Sequence, residues 1–243
     1  SVPAGNLYIN RGVTGAIVSR QPFGGMKRPA FGGGIKAGGV NYVSCFVNFT
    51  ENPLKEKSSS ASVLCELADT NEEKNRLNFA EENFNKVWEE EFAHEREVGH
   101  LYGESNIFRY LPLDNVCIFV QKDDKLNDVL LTMLAGATTH TPIIVSISQS
   151  DEKLDKIQKA VNFLSGVSIL IQGEDDFIFN MEKYERIRCC SDRLSDTVFN
   201  KAAELGKHIA TAHPLIEGRI ELLHYLKEQS ISYEYHRYGS IFD

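Results

Sequence analysis

"VCIFVQKDDKLNDVLLTMLAGATTHTPIIVSIS" (116–148) decides the fold. Its two apolar runs, 116–120 and 142–148, are short and lack polar alternation, the pattern of strands buried on both faces. The stretch 124–138 between them reads as a helix, one of several in the chain of which some are opened by Asp or Ser caps. Strand, helix, strand over this length is a parallel crossover unit. The pattern continues outward, with apolar runs at 167–172, 186–190 and 208–212 and helical stretches at 151–165, 174–184, 194–205 and 217–228. Five alternations joined by right-handed crossovers predict an α/β fold, a Rossmann-like doubly wound parallel sheet.

Such a sheet invites a dinucleotide at the exit of its first strand. That exit is "QKDDK" (121–125), which has no glycine to let a pyrophosphate approach the backbone and places two aspartates where an anion would sit. The next exit, "SISQSDEK" (146–153), is no better suited. The expectation is a sheet without a dinucleotide-binding loop.

Upstream the pattern loosens. "FAEENFNKVWEEEFAHEREVGHLYG" (79–103) spaces Phe79, Phe84, Val87, Trp88, Phe92 and Val98 as an amphipathic helix that Gly99 or Gly103 could end. Residues 51–77 carry a serine run, mixed charges and a weak apolar pattern, which suits a linker. Ten of the 18 glycines fall in the first 39 residues, so the start reads as loops and turns. Two strand candidates sit among them, 6–10 ("NLYIN") and 41–49 ("NYVSCFVNF"). A segment with so little apolar surface needs a neighbour to repay its chain entropy. The division expected is therefore 1–50, a 51–77 linker, and 78–243.

The net charge of −8 argues against a nucleic-acid groove, and no apolar run is long enough to span a bilayer. Five cysteines, an odd number, do not make a disulfide framework, so a reducing, cytoplasmic setting is expected. Cys45 and Cys117 read as small core residues, Cys65 lies in the linker, and Cys189 and Cys190 read as buried strand-end residues. Histidines 94, 100, 140, 208, 213, 224 and 236 show no metal-ligand spacing. No catalytic residue and no metal ligand is assigned.

The opening loop "TGAIVSRQPFGG" (14–25) is the most specific stretch of the chain. Within 5–49, "INR", "TGAIV", "RQPFGG" and "KAGG" in this order resemble the end of the catalytic domain of aldehyde dehydrogenases, specifically 1-pyrroline-5-carboxylate dehydrogenases. The remainder, through "GESNIFRYLPL" (103–113), "GRIELLHYLKEQSIS" (218–232) and "YHRYG" (235–239), is similar to the tail of long-form proline utilization A, in which a flavin-dependent proline dehydrogenase is coupled to the aldehyde dehydrogenase. The segment "RPAFGGG" (28–34) and "RGV" (11–13) depart from the usual pattern.

The resemblance implies that Gly15 and Ala16 anchor the substrate's α-carboxylate through backbone N–H groups, with Phe23 packing on its aliphatic part. It implies a parent that oxidises glutamate semialdehyde with NAD and, where a proline dehydrogenase is joined to it, carries FAD. The nucleophilic cysteine, the general base and the nicotinamide domain of the family lie outside this sequence, so the chain is expected to bind no cofactor and to be inactive alone. An opening on "SVPAGNLYIN" with no initiator methionine fits a piece of a longer protein. The resemblance also implies partners: the remainder of the parent, a β-flap strand at 41–49 that pairs with the C-terminal domain or a second copy, and a tail over an internal tunnel. A free-standing, non-catalytic Rossmann-like binding or assembly module is the alternative.

Overall fold

The structure, a computed structural model, describes residues 2–26, 30, 32–54, 57, 58 and 60–236. The strands are β1 (Asn6–Ile9), β2 (Arg96–Glu97), β3 (Glu104–Pro112), β4 (Val116–Phe119), β5 (Ile143–Ile147), β6 (Val167–Ile171), β7 (Arg186–Arg188), β8 (Ile209–Ala210) and β9 (Leu226–Glu234). The helices are α1 (Asn71–Val87), α2 (Leu126–Thr138), α3 (Leu154–Phe163), α4 (Glu174–Asn180), α5 (Asp196–Leu205) and α6 (Gly218–Glu221). The chain sorts into two compact units, one of Ser1–Phe49, Glu90–Leu111 and Lys227–Asp243, the other of Thr50–Glu89 and Pro112–Leu226.

The second unit carries a five-stranded sheet, order β6-β5-β4-β7-β8, parallel throughout. All five expected strands are present, and the sheet is the doubly wound one that the 116–148 pattern predicts. Cys117 and Phe119 of β4 and Ile187 of β7 face a cluster with Phe177, Met181, Tyr184, Val198 and Ala202, in which Phe119 and Phe177 stack at 3.7 Å. On α2, Gly136 is required by space, because a Cβ there would stand 2.3 Å from Ile143 Cδ1. Burial on both faces holds for β4 but not for the edge strand β6, where Leu170 and Ile171 are exposed.

In the segment expected as a linker, 51–77, the described residues Ser58 and Ser62 bond to α1 and residues 71–77 belong to it. Ser62 caps a 3-10 turn (Val63–Leu67) that buries Leu64 and Leu67, and its own N–H donates to Asn78 Oδ1 at 2.7 Å. Thr70 and Glu73 form a reciprocal capping box, so α1 starts at Asn71 rather than near 78. It ends earlier than expected too, passing through a π turn (Trp88–Phe92) that buries Phe92, with Gly99 and Gly103 beyond it. Serine content alone misleads here because serine also caps helices. The helix expected at 217–228 is the short α6 and a 3-10 turn (Leu222–Tyr225), after which the chain extends as β9.

The first unit carries a four-stranded sheet, order β1-β9-β3-β2. Strand β1, expected from sequence, runs parallel to β9 with Tyr8 opposite Ser232, and β2 pairs antiparallel with β3. Residues 41–49 do not form the expected strand. Asn41 C=O accepts from the Ser44 N–H and hydroxyl, starting a 3-10 turn (Tyr42–Phe46), and Val43, Phe46 and Cys45 are exposed rather than in a core. The local bond from the Ser44 hydroxyl to Asn41 C=O, with Asn41 Nδ2 drawn off to Tyr110 and Glu228, outweighs the strand preference of the valines and aromatics.

Candidate functional site

The residues implied to hold substrate lie together on one loop of the first unit. Gly15, at φ +82, sits in the left-handed region that glycine enters without strain. Added space is not its reason, since a Cβ at this position would meet no atom within 4 Å. Gly15 and Ala16 are exposed, and among the described residues neither N–H donates to a protein acceptor. Phe23 is 61 % exposed.

Both ends of this loop are tied down. At the far end, Phe23 and Ala37 exchange backbone hydrogen bonds at 2.9 and 2.8 Å. Asn6 donates to Pro22 C=O at 2.7 Å and accepts from Gly24 N–H at 3.1 Å. Lys36, fully buried, donates its Nζ to Gly24 C=O. Burial pulls the Lys36 ammonium down to about 8, while the Glu228 carboxylate pulls it back up. Glu228 in turn accepts from Lys36 N–H at 2.7 Å and from Asn41 Nδ2 at 2.6 Å.

At the near end, Gln21 Oε1 accepts from Ile17 N–H at 3.1 Å, and Gln21 N–H donates to Ile17 C=O at 2.7 Å. Its Nε2 donates to Asn106 Oδ1 on β3 and to Ser232 Oγ on β9. Arg20 pairs with Glu104 at 3.1 Å, and Arg11 donates to Ser232 Oγ at 3.0 Å. Gln21, Asn106, Ser232, Lys36 and Glu228 carry no motif spacing of their own. The sequence signal was that each lies inside a stretch carrying the resemblance: Gln21 in "RQPFGG", Lys36 in "KAGG", Asn106 in 103–113, and Glu228 and Ser232 in 218–232.

In the second unit the exit of β4 is filled by its own side chains. Asp124 Oδ2 accepts from Gln121 N–H at 2.8 Å, and Lys153 Nζ donates to Lys122 C=O at 2.9 Å. An incoming phosphate would compete with a carboxylate for that amide. Cys189 and Cys190 are buried, and burial pushes the Cys189 thiol up to about 12 and Cys190 well above its usual value. Neither is a thiolate at neutral pH. No group of three or more metal-ligating side chains occurs among the described residues, and no helix among them is long and apolar enough to cross a membrane.

Comparison with known proteins bears on the likeness read from the loop motifs and the tail. The chain is similar to proline utilization A (PutA) from Corynebacterium freiburgense, with 33 % identity and a TM-score of 0.66 over 98 % of the chain and 21 % of that protein. It is 57 % identical over 44 residues to 1-pyrroline-5-carboxylate dehydrogenase of Oceanobacillus iheyensis, covering 18 % of the chain and 8 % of that protein. A match of 49 % identity over 59 residues, 24 % of the chain and 4 % of the relative, is to the bifunctional protein PutA of Rhizobium meliloti. The likeness read from the loop motifs and the tail therefore stands. No family model matches the chain. The chain spans about a fifth or less of the length of each of these relatives.

Proposed function

We propose that this chain is the substrate-anchoring part of a 1-pyrroline-5-carboxylate dehydrogenase of proline catabolism. The observation that carries the reading is the pair of exposed backbone amides, Gly15 and Ala16, that donate to no protein acceptor among the described residues. They are held on a loop whose two ends are fixed by buried side chains. A carboxylate brought to them gains charge-assisted hydrogen bonds, each worth roughly 1.5–3 kcal/mol. The exposed ring of Phe23 offers apolar cover for the methylene chain of glutamate semialdehyde.

In this reading the chain binds and orients the substrate, and the reacting groups belong to the rest of a longer protein. NAD, and FAD if a proline dehydrogenase is joined, are held there too, because the β4 exit of this chain does not suit a phosphate. The tail proposed to cover the tunnel, residues 230–239, belongs to β9 as far as Glu234 and from 237 on lies outside the described residues; its covering role rests on resemblance alone. Pairing of 41–49 with a second copy rests on resemblance and on the exposed Val43 and Phe46.

The test is Gly15→Val in the full-length dehydrogenase. A β-branched residue is strained at this φ and displaces the amides. The KM for glutamate semialdehyde is expected to rise at least about tenfold, the cost of one lost charge-assisted bond. An unchanged KM overturns the reading.

A further inference from the structure

The near end of the loop holds a residue whose contacts are more complete than holding a turn requires. Gln21 is 1 % exposed and every polar atom of its side-chain amide is used. Its oxygen takes the N–H of Ile17, the residue directly after Ala16, so one hydrogen bond fixes the peptide plane adjoining the anchor. Its nitrogen is spent on two acceptors from segments far away in sequence, Asn106 Oδ1 at 3.0 Å and Ser232 Oγ at 3.1 Å. Ser232 Oγ donates to the same Asn106 Oδ1 at 2.7 Å. Asn106 Nδ2 is held by Glu104 Oε1 at 3.0 Å, and that carboxylate pairs with Arg20.

This arrangement has one orientation. Turning the Gln21 amide over would set Nε2 against the Ile17 N–H and Oε1 against the Asn106 oxygen, leaving buried groups unpaired on both sides. Asn106 and Ser232 are themselves 0 % and 1 % exposed, so water does not substitute for them. A fully satisfied buried network of this kind is rigid, and its rigidity passes to whatever it holds.

We infer that Gln21 is a positioning residue for the carboxylate anchor, with its amide oriented by Asn106 of β3 and Ser232 of β9. The inference rests on the anchor reading of Gly15 and Ala16. It makes the chain's distant β9 a determinant of preference for aldehydes that carry an α-carboxylate.

The experiment measures Gln21→Ala, Ser232→Ala and Gly15→Val in the full-length dehydrogenase with two substrates, glutamate semialdehyde and propionaldehyde, which has no carboxylate. For Gln21→Ala the KM for glutamate semialdehyde is expected to rise roughly threefold to tenfold, the effect of one buried neutral hydrogen bond, with kcat and the propionaldehyde KM unchanged. Ser232→Ala is expected to shift the same constant in the same direction by less, because Asn106 still accepts from Gln21. It also serves if Gln21→Ala fails to fold. A selective effect of Gly15→Val with none from the other two overturns the positioning role and leaves the anchor reading intact. No selectivity in any variant overturns both. A Gln21→Ala variant that loses both substrates equally overturns the positioning role in favour of a purely structural one.

Discussion

The two units bury different chemistry, and the difference bears on the loop proposed to hold substrate. The second is a mainly apolar interior, with Val116, Ile118, Leu130, Leu131, Ile143 and Val145 at 1 % exposure or less, beside the buried hydroxyls of Thr132, Thr139, Thr141 and Ser146 and a fully buried ion pair, Arg188 with Glu221. The first buries Gln21, Lys36, Asn41, Asn106, Glu228, Gln229, Ser230 and Ser232, each at 3 % exposure or less, beside a small aromatic cluster of Phe92, Phe108 and Tyr110. Apolar burial is non-directional and tolerates small displacements, whereas hydrogen bonds fix distance and angle. The polar unit is the one that holds the exposed anchor loop. On this contrast the apolar core is expected to dominate stability and the polar one the geometry of the loop.

The largest expected effect attacks the exception in the apolar unit. Arg188 donates to both oxygens of Glu221, at 3.0 and 3.1 Å, and to the carbonyls of Ala210 and Ala212. Arg188→Met leaves the Glu221 carboxylate buried without its partner, against a burial that already raises its pKa, and is expected to cost about 3–5 kcal/mol in chemical denaturation. Adding Glu221→Leu removes the stranded charge and is expected to return much of that loss. A wild-type midpoint for Arg188→Met breaks the contrast between the cores.

Acid is the next test, and it acts on the same unit. Burial, then the charges of Arg186 and Arg188, lowers His208 from 6.5 to about 4, and His224 moves in the same direction. Between those values the unfolded chain holds a proton that the folded one does not. Stability present above pH 6.5 is therefore lost as pH falls toward 4, by up to about 3 kcal/mol for His208. Residue-resolved hydrogen exchange is expected to place that loss in the sheet of β4, β5 and β7. His208→Phe should flatten it.

Gly136→Ala is expected to cost about 2 kcal/mol, although alanine is the better helix former, because its Cβ meets Ile143 at 2.3 Å. A gain in thermal melting temperature would mean that α2 stands off the sheet and that this core is looser than the polar one.

How much was legible in the sequence follows the same division. The five parallel strands could be read because each is a local apolar run, and β4 to β8 fell where the pattern put them. Strand β9 was missed because its burial does not alternate, and its pairing with β1 joins residues more than 200 positions apart. The segment 41–49 was misread because a composition suited to a strand also carries Asn41 and Ser44, whose hydrogen bonds close a turn. The anchor positions were reached only through the resemblance of their motif. The residues that hold the loop, Gln21, Asn106 and Ser232, are three ordinary polar side chains until folding brings them together.

The smallest effect sharpens the contrast from the polar side. Lys36 is buried with its folded pKa lowered from 10.5 to about 8, so above pH 10.5 neither state is charged and below 8 both are. Between them the unfolded chain alone holds the proton, and stability rises with pH across that window. The gain is limited because Glu228 favours the charged form, and because a neutral amine still donates to Gly24 C=O. Lys36→Met should remove this alkaline slope, read by hydrogen exchange in β1 and β9, while leaving the acid slope of the other unit untouched. Were both slopes to change together, the two cores would be titrating as one, and the separation of stability from geometry would fail.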